Sequence, residues 1–358
     1  MKNNLKRYDR QMALPEIGWE GQQLLHQAKV LVIGAGGLGC PVLQQLASAG
    51  VGTLGIVDGD CIEETNLHRQ ILYTLEDCGK NKAQIAEEKL KQINPEVNVI
   101  VYPEFLTSAN THQIVDGYQI IVDCTDTIQA RYLINDISAL KNIPMVYASI
   151  HKFEGQISVF NYDKGPSYRC LFPENEANKE IPSCVTSGVL GVLPNTLGMF
   201  QATEVLKIIL GIGDVLSGKL LMYNALTSES HQIAFTRNEA EVAKGIQNGY
   251  RLKEGQVTER DLNITQFFEM GTNKKNLFID VREVHELPKI TFENLLQIPL
   301  HELENNINNI DKNQEIILFC QSGKRSAFAL EILRQKGFLA VSHLKNGIQS
   351  LEFEHNNK

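Results

Sequence analysis

The stretch KVLVIGAGGLGCPVLQQLASAG, residues 29–50, decides the fold. KVLVIG (29–34) is a short apolar run with the look of a buried strand, and PVLQQLASAG carries a helical pattern. Between them GAGGLG (34–39) fits G-x-G-x-x-G. VGTLGIVDGD (51–60) then reads as a second strand ending in acidic residues. Strand, glycine loop, helix and strand in this order make a βαβ unit of a parallel, doubly wound α/β sheet. In such a unit Gly34, Gly36 and Gly39 give a tight turn, close approach of backbone to phosphate and close helix packing, and the helix N-terminus holds negative oxygens. Asp58 stands about twenty residues on, where a ribose hydroxyl acceptor belongs. By these features alone an NAD-dependent dehydrogenase is the favoured reading, with a purely structural turn as the plain alternative.

The alternation continues outward. NKAQIAEEKLKQINP (81–95) is a helix stopped by Pro95, and VNVIVYPEFL (97–106) and QIIVDCTD (119–126) extend the strand series. IPMVYASIHKFEGQISVFNY (143–162) reads as strands joined by a Gly-containing turn, and TLGMFQATEVLKIILGIG (196–213) as an apolar helix capped by glycine. From 237 to 256 (RNEAEVAKGIQNGYRLKEGQ) the composition turns polar and loses its apolar period, which predicts a linker. A second α/β pattern follows in NLFIDVRE (276–283), EIILFC (315–320) and RSAFALEILRQKG (325–337). The expected organisation is a nucleotide-binding domain over 1–236, a linker over 237–256 and a second domain over 257–358.

Composition limits the partners. The 358 residues, 43% hydrophobic and 21% charged, suit two soluble domains, and a net charge of -8 gives no electrostatic reason to expect nucleic acid or a membrane surface. No apolar run approaches the roughly 18–20 residues that span a bilayer. The opening MKNNLKRYDRQ has no apolar stretch behind its charge, unlike a signal peptide, so a cytoplasmic location is expected. Seven scattered cysteines, an odd number, argue against a disulfide scaffold. The question is which of them can act as a thiolate.

RYDRQ (7–11), DGDCIEETNLHRQ (58–70), GKNKA (79–83) and DCTDT (123–127) argue against the dehydrogenase, which stays as the alternative. In order and spacing they resemble the motifs of the molybdopterin-synthase and thiamine-biosynthesis adenylyltransferases (the MoeB, ThiF and HesA type), whose core is shared with ubiquitin-activating enzymes. The resemblance covers roughly residues 5–235 and includes GKLLMYNALT. It implies ATP and Mg²⁺ in place of NAD. Adenylation sends a carboxylate to the α-phosphorus of ATP as pyrophosphate leaves, so cations must stand ready where charge builds. By the resemblance Arg69 and Lys82 contact phosphate, and Arg10 is donated by the partner of a homodimer. Asp126 accompanies Mg²⁺ and the reacting phosphate, Asp58 takes the ribose, and Gly34, Gly36, Gly37 and Asn66 line the nucleotide. Thr127 stands where the family usually has Asn. The implied substrate is the C-terminal Gly-Gly carboxylate of a small ubiquitin-like sulfur carrier. The molybdopterin-synthase small subunit is preferred over a thiamine or tRNA-thiolation carrier.

Cys184, in IPSCVTSGVLGVLP, resembles the reactive cysteine of that family. Acyl or sulfur handling and an inert thiol both remain open for it. Many relatives hold structural zinc through paired CxxC motifs. Here the first pair is reduced to SYRC, with Ser167 and only Cys170, and RNEAEVAKG has no cysteine. One thiolate cannot furnish a tetrahedral zinc site, so no zinc is expected. His68 is read as a polar contact, and His151 and His343 as satisfied structural residues.

Cys320 is the strongest candidate for a reactive thiol. It ends an apolar strand and opens CQSGKRS (320–326) directly before a helix, where inward N–H groups, the helix N-terminus, Lys324 and Arg325 favour a thiolate. The loop from Cys320 through Gln321, Ser322, Gly323 and Lys324 to Arg325 resembles that of rhodanese-type sulfurtransferases, with IDVRE (279–283) and HLKNGI (343–348) as further markers over about 262–354. The resemblance implies a persulfide on Cys320, with Asp280 and Arg282 organising the loop. Four residues separate Cys320 from Arg325, one fewer than in the related loop of some phosphatases, which favours sulfur. A cysteine desulfurase or thiosulfate is the expected donor. Fusion raises the effective concentration of persulfide at the adenylate.

Overall fold

The computed structural model describes residues 5–173, 188–253, 260–307, 310–311, 314–336, 338 and 340–349. The chain divides into two units, Met1–Val257 and Thr258–Lys358. Among the described residues no helix is long and apolar enough to cross a membrane.

The first unit is built on an eight-stranded sheet: β1 (Lys29–Ile33), β2 (Thr53–Val57), β3 (Asn98–Tyr102), β4 (Ile120–Asp123), β5 (Met145–His151), β6 (Glu154–Phe160), β7 (Lys219–Asn224) and β8 (Glu229–Ala234). Their order is β3-β2-β1-β4-β5-β6-β7-β8. β3 through β5 pair in parallel, and β5 through β8 add an antiparallel extension. The period of two in β1 sends Val30 and Val32 to one face of the sheet and Leu31 and Ile33 to the other. The first face packs on the helices Gly39–Ala49, Lys82–Ile93 and Val192–Leu210, and the second on the helix Ile128–Lys141. Both faces are covered, and central strands therefore read as continuous apolar runs.

Two details differ from the sequence reading. The β5–β6 turn is made by Lys152 and Phe153, with Lys152 at φ 54°, while Gly155 lies inside β6. It is glycine there because a Cβ would stand 2.7 Å from Leu197 Cδ2 of the overlying helix. The segment expected to be a linker instead holds the helix Glu239–Lys253, packed on Ile128–Lys141. Its inward positions are Val242, Gly245, Ile246 and Gly249, a helical spacing that two glycines hide from any count of apolar residues.

The second unit is a five-stranded sheet of β9 (Arg260–Leu262), β10 (Leu277–Asp280), β11 (Leu295–Gln297), β12 (Ile316–Phe319) and β13 (Val341–Leu344), in the order β11-β10-β12-β13-β9 with every pair parallel. Leu318 and Val341 face one core, and Phe278, Ile317 and Phe319 face the other. The helix Lys324–Gln335 begins four residues after Cys320.

Candidate functional site

In the first unit the named residues collect at the carboxyl ends of neighbouring parallel strands. The glycine loop follows β1, Asp58 follows β2 and Asp126 lies beyond β4. β1 lies between β2 and β4, so strand order reverses here and opens the crevice in which doubly wound sheets bind ligands. Gly34 has φ 96°, and a Cβ on it would stand 2.6 Å from Cys124 O. A Cβ on Gly39 would stand 2.0 Å from Gly34 O. No other residue fits this turn. At Gly36 the nearest neighbour, Gln70 Nε2, is 3.5 Å away, so the loop backbone lies open on that side.

Asp58 is buried and tied to the loop. Its Oδ2 accepts from the Ala35 N–H at 2.7 Å and its Oδ1 from the Asp60 N–H at 2.8 Å. Burial pushes its pKa up, opposed first by the Lys82 charge and then by these donors. Lys82, the first residue of its helix, meets Asp60 Oδ2 at 3.3 Å. Tyr73 Oη donates to Ala35 O at 2.8 Å and lies 3.1 Å from Lys82 O, bracing the loop against that helix.

Arg69 is half-buried, with Nη1 donating to Thr65 O at 2.9 Å. Exposed His68 places Nδ1 3.0 Å from Thr65 O. Asn66 is buried in a reciprocal cap with Glu63, accepting its N–H on Oδ1 at 3.3 Å. The start of Val192–Leu210 is tied to this segment, because Asn195 Nδ2 donates to Arg69 O at 3.1 Å and to Gly191 O at 3.0 Å. Two buried amide oxygens here, Gln70 Oε1 and Asn195 Oδ1, have no hydrogen-bond partner. Buried polar atoms are seldom left unpaired. Orphaned acceptors around Arg69, beside an open glycine loop, suit a polar ligand carrying both negative oxygens and N–H or O–H donors, as a nucleotide does. Sequence reading gave Gln70, the last residue of DGDCIEETNLHRQ, no role, and it missed Asn195 altogether.

Asp123 lies fully buried under the next loop. Its Oδ1 accepts from the Thr125 N–H at 2.9 Å and the Thr125 hydroxyl at 2.6 Å, and Arg131 Nε is 4.0 Å from Oδ2. Burial raises its pKa. This anchored turn presents Asp126 to solvent, and the Thr127 hydroxyl caps Ile128–Lys141 by accepting from the Ala130 N–H at 3.4 Å. One carboxylate beside nucleotide phosphates is a set that Mg²⁺ accepts. Among the described residues no group of three or more His, Cys, Asp or Glu could hold a metal ion on its own.

RYDRQ divides its labour. Arg7 Nη1 donates to Ile93 O at 2.8 Å, buried Tyr8 accepts from Asn94 Nδ2 at 2.7 Å, and Gln11 Nε2 donates to Gln22 Oε1 at 2.8 Å. These anchors leave Arg10 exposed. Cys184 lies outside the described residues. Cys170 Sγ accepts from the Ser167 N–H at 3.3 Å and the Asn238 N–H at 3.2 Å, joining SYRC to the start of RNEAEVAKG. Arg237 reinforces the joint, donating to Gly165 O at 3.0 Å and to Glu239 Oε1 at 2.7 Å. His151 ends β5 at the surface.

In the second unit Cys320 is fully buried, and the N–H groups of Gly323 and Ser326 point at Sγ from 3.1 and 3.4 Å. Gly323 has φ 86°, and a Cβ on it would stand 1.8 Å from Lys345 O, so the loop closes only around glycine. Arg282, also fully buried, forks onto Asp280 at 2.7–2.9 Å and donates to Pro288 O at 3.0 Å and Gln321 Oε1 at 3.4 Å. Arg325 forks onto Glu286, both contacts 2.6 Å. Lys324 and Ser322 lie toward solvent. Ser326 Oγ stands 3.2 Å from Nδ1 of buried His343. The chemistry open to this loop is charge on a sulfur held by amide donors.

Comparison with known proteins agrees with the geometry. The ThiF family profile matches residues 8–243 and the rhodanese-like domain profile residues 265–353. The chain is similar to a sulfur carrier protein adenylyltransferase of Thermus thermophilus, 48% identical over 66% of this chain and 89% of the relative. It is similar to a probable molybdopterin-synthase adenylyltransferase of Porphyra purpurea, 38% identical over 96% and 92%. It is also similar to a probable adenylyltransferase/sulfurtransferase, MoeZ, of Mycobacterium tuberculosis, 36% identical over 97% and 92%. The crystal structure of E. coli MccB shares the fold, with a TM-score of 0.58 at 23% identity over 66% of this chain and 71% of that one.

Proposed function

The chain belongs to the ThiF family and carries a rhodanese-like domain behind its ThiF domain, and on that premise we propose how its two sites work in sequence. The protein is an ATP-dependent adenylyltransferase fused to a sulfurtransferase, and its substrate is the C-terminal glycine of a ubiquitin-like sulfur carrier. The carrier preferred here is the molybdopterin-synthase small subunit.

The glycine-loop amides and the helix N-terminus hold the triphosphate, with Asp58 on the ribose and Asn66 lining the pocket. A carboxylate oxygen of the carrier attacks the α-phosphorus, the bond to the β-phosphate oxygen breaks, and pyrophosphate leaves. Lys82, freed from Asp60, and Arg69 balance the charge that builds, joined by Arg10 from a second copy of the chain. Asp126 would hold the Mg²⁺ that accompanies ATP, and the ion would supply further charge neutralisation there. The outer sulfur of a Cys320 persulfide then attacks the activated carbonyl and AMP leaves. A second thiol, a role open to Cys184, then attacks Cys320 Sγ and forms a disulfide with it as the S–S bond to the acyl sulfur breaks, so the carrier leaves as the thiocarboxylate and an external thiol reduces the disulfide.

The observation that carries this reading is the pairing, in one chain, of a switch-point glycine loop, bonded to Asp58, with a cysteine held by amide donors. The test is mass spectrometry of candidate carriers incubated with enzyme, ATP and a persulfide donor. The expected product has one carboxylate oxygen replaced by sulfur. Lys82→Ala loses both carrier-dependent ATP–pyrophosphate exchange and this product, and Cys320→Ala loses only the product. Nicotinamide binding without exchange overturns the reading in favour of a dehydrogenase.

A further inference from the structure

Cys320 is the end of a buried hydrogen-bond chain. Its Sγ lies 3.6 Å from Ser326 Oγ, which lies 3.2 Å from His343 Nδ1. Cys320 and Ser326 are fully buried and His343 nearly so. Ser326 opens the helix side of the loop and His343 belongs to β13, paired with β12, whose chain continues directly into Cys320. The topology thus brings an imidazole under the sulfur without exposing either. A buried imidazole is costly unless its polar atoms are engaged. Arg325 and Arg282 carry guanidinium groups, paired to Glu286 and Asp280, that donate and take up no proton, so neither is the base that could receive one from the thiol.

We propose that His343 is a positioning residue that accepts the Cys320 thiol proton through Ser326. The inference rests on the reading of Cys320 as the persulfide carrier. In the loading step Cys320 Sγ attacks the outer sulfur of a donor, thiosulfate or a persulfide. The new Sγ–S bond forms as the donor's S–S bond breaks, and its electron pair leaves with sulfite or a thiolate. The thiol proton moves to Ser326 Oγ as the Ser326 proton moves to His343 Nδ1, and the path reverses when Cys320 recovers its thiol. No further oxidant or reductant enters. Nδ1 is the acceptor in this step, and the Ser326 hydroxyl turns from Gly323 O, 3.0 Å away, to meet it.

The test uses the full chain with thiosulfate as donor, following sulfur loading of Cys320 by mass spectrometry in single turnover and thiocyanate formation with cyanide at steady state. Asparagine places a hydrogen-bonding atom where Nδ1 stands but takes up no proton near neutrality. A proton acceptor contributes about 10²-fold in rate, so His343→Asn is expected to lower loading and kcat by about that factor. KM for thiosulfate stays unchanged, and the solvent deuterium effect of the wild type is lost. Ser326→Ala, a small change inside a formed loop, gives the same drop, and the double variant falls no further. ATP–pyrophosphate exchange by the first unit reports that each variant is intact there. A wild-type loading rate in either His343→Asn or Ser326→Ala overturns the relay. Failure of the wild type to load sulfur on Cys320 sinks the reading of Cys320 and the relay with it.

Discussion

Glu286 and Arg325 form the closest charged pair beside the sulfur loop, and it is a pair whose strength acid will erase. The Arg325 guanidinium holds the Glu286 carboxyl at about 2, below its ordinary 4.5. A carboxylate with a depressed value contributes stability above its unfolded value, and that stability is lost as pH falls from about 4.5 toward 2. Both side chains are partly exposed, so the contribution is about 1 kcal/mol. Thermal unfolding of the second unit, followed between pH 6 and 3, is expected to show this loss in the wild type and a flatter profile in Glu286→Gln. An equal slope in both removes the pair from the account. At this scale the sequence was legible where one residue's chemistry announces itself. Cys320 at the end of an apolar strand is such a case. Ser326 and His343 were not legible as a pair, because only the parallel register of β12 and β13 puts them together. Arg325 was read as a neighbour of the thiolate, and no count of residues could say that Glu286 occupies its fork.

Elements were legible when their period was written in side chains and hidden when it was written in their absence. β1, Gly39–Ala49 and β2 carry their pattern openly. Glu239–Lys253 does not, since Gly245 and Gly249 make up half of the positions it turns inward. A Cβ on Gly249 would stand 2.7 Å from Asp136 O and 2.8 Å from Leu140 Cβ, whereas at Gly245 the closest atoms are 3.2 Å away. Glycine to alanine in a free helix stabilises by about 1 kcal/mol. Here Gly249→Ala is expected to destabilise the first unit by about 2 kcal/mol, since backbone and a packed Cβ must move. Chemical denaturation checks the sign, and a more stable Gly249→Ala protein would mean that the helix does not sit against Ile128–Lys141. β8 escaped for another reason: all of its residues are exposed, so it shows no alternation at all.

At the scale of the whole molecule, the first unit presents an outward face near Arg10. Leu14 is 52% and Trp19 51% exposed, and Arg10 itself is exposed. An isologous dimer would cover that surface and carry Arg10 to the neighbouring nucleotide. Mixing inactive Arg10→Ala and Lys82→Ala chains, with exchange of subunits, is then expected to restore about a quarter of wild-type ATP–pyrophosphate exchange, since one site in four combines an intact Lys82 with an intact Arg10. No recovery would place Arg10 on its own site or on none. The anchors of RYDRQ have a consequence for how the protein is made. Tyr8 is translated well before its seat, which includes the Asn94 amide, and Gln11 leans on Ala49 O. The segment must wait, unhoused, until those later partners have been translated and folded. Arg10 is therefore fixed in place only once the domain behind it is sound, and an incompletely folded nascent chain cannot offer it to a neighbour.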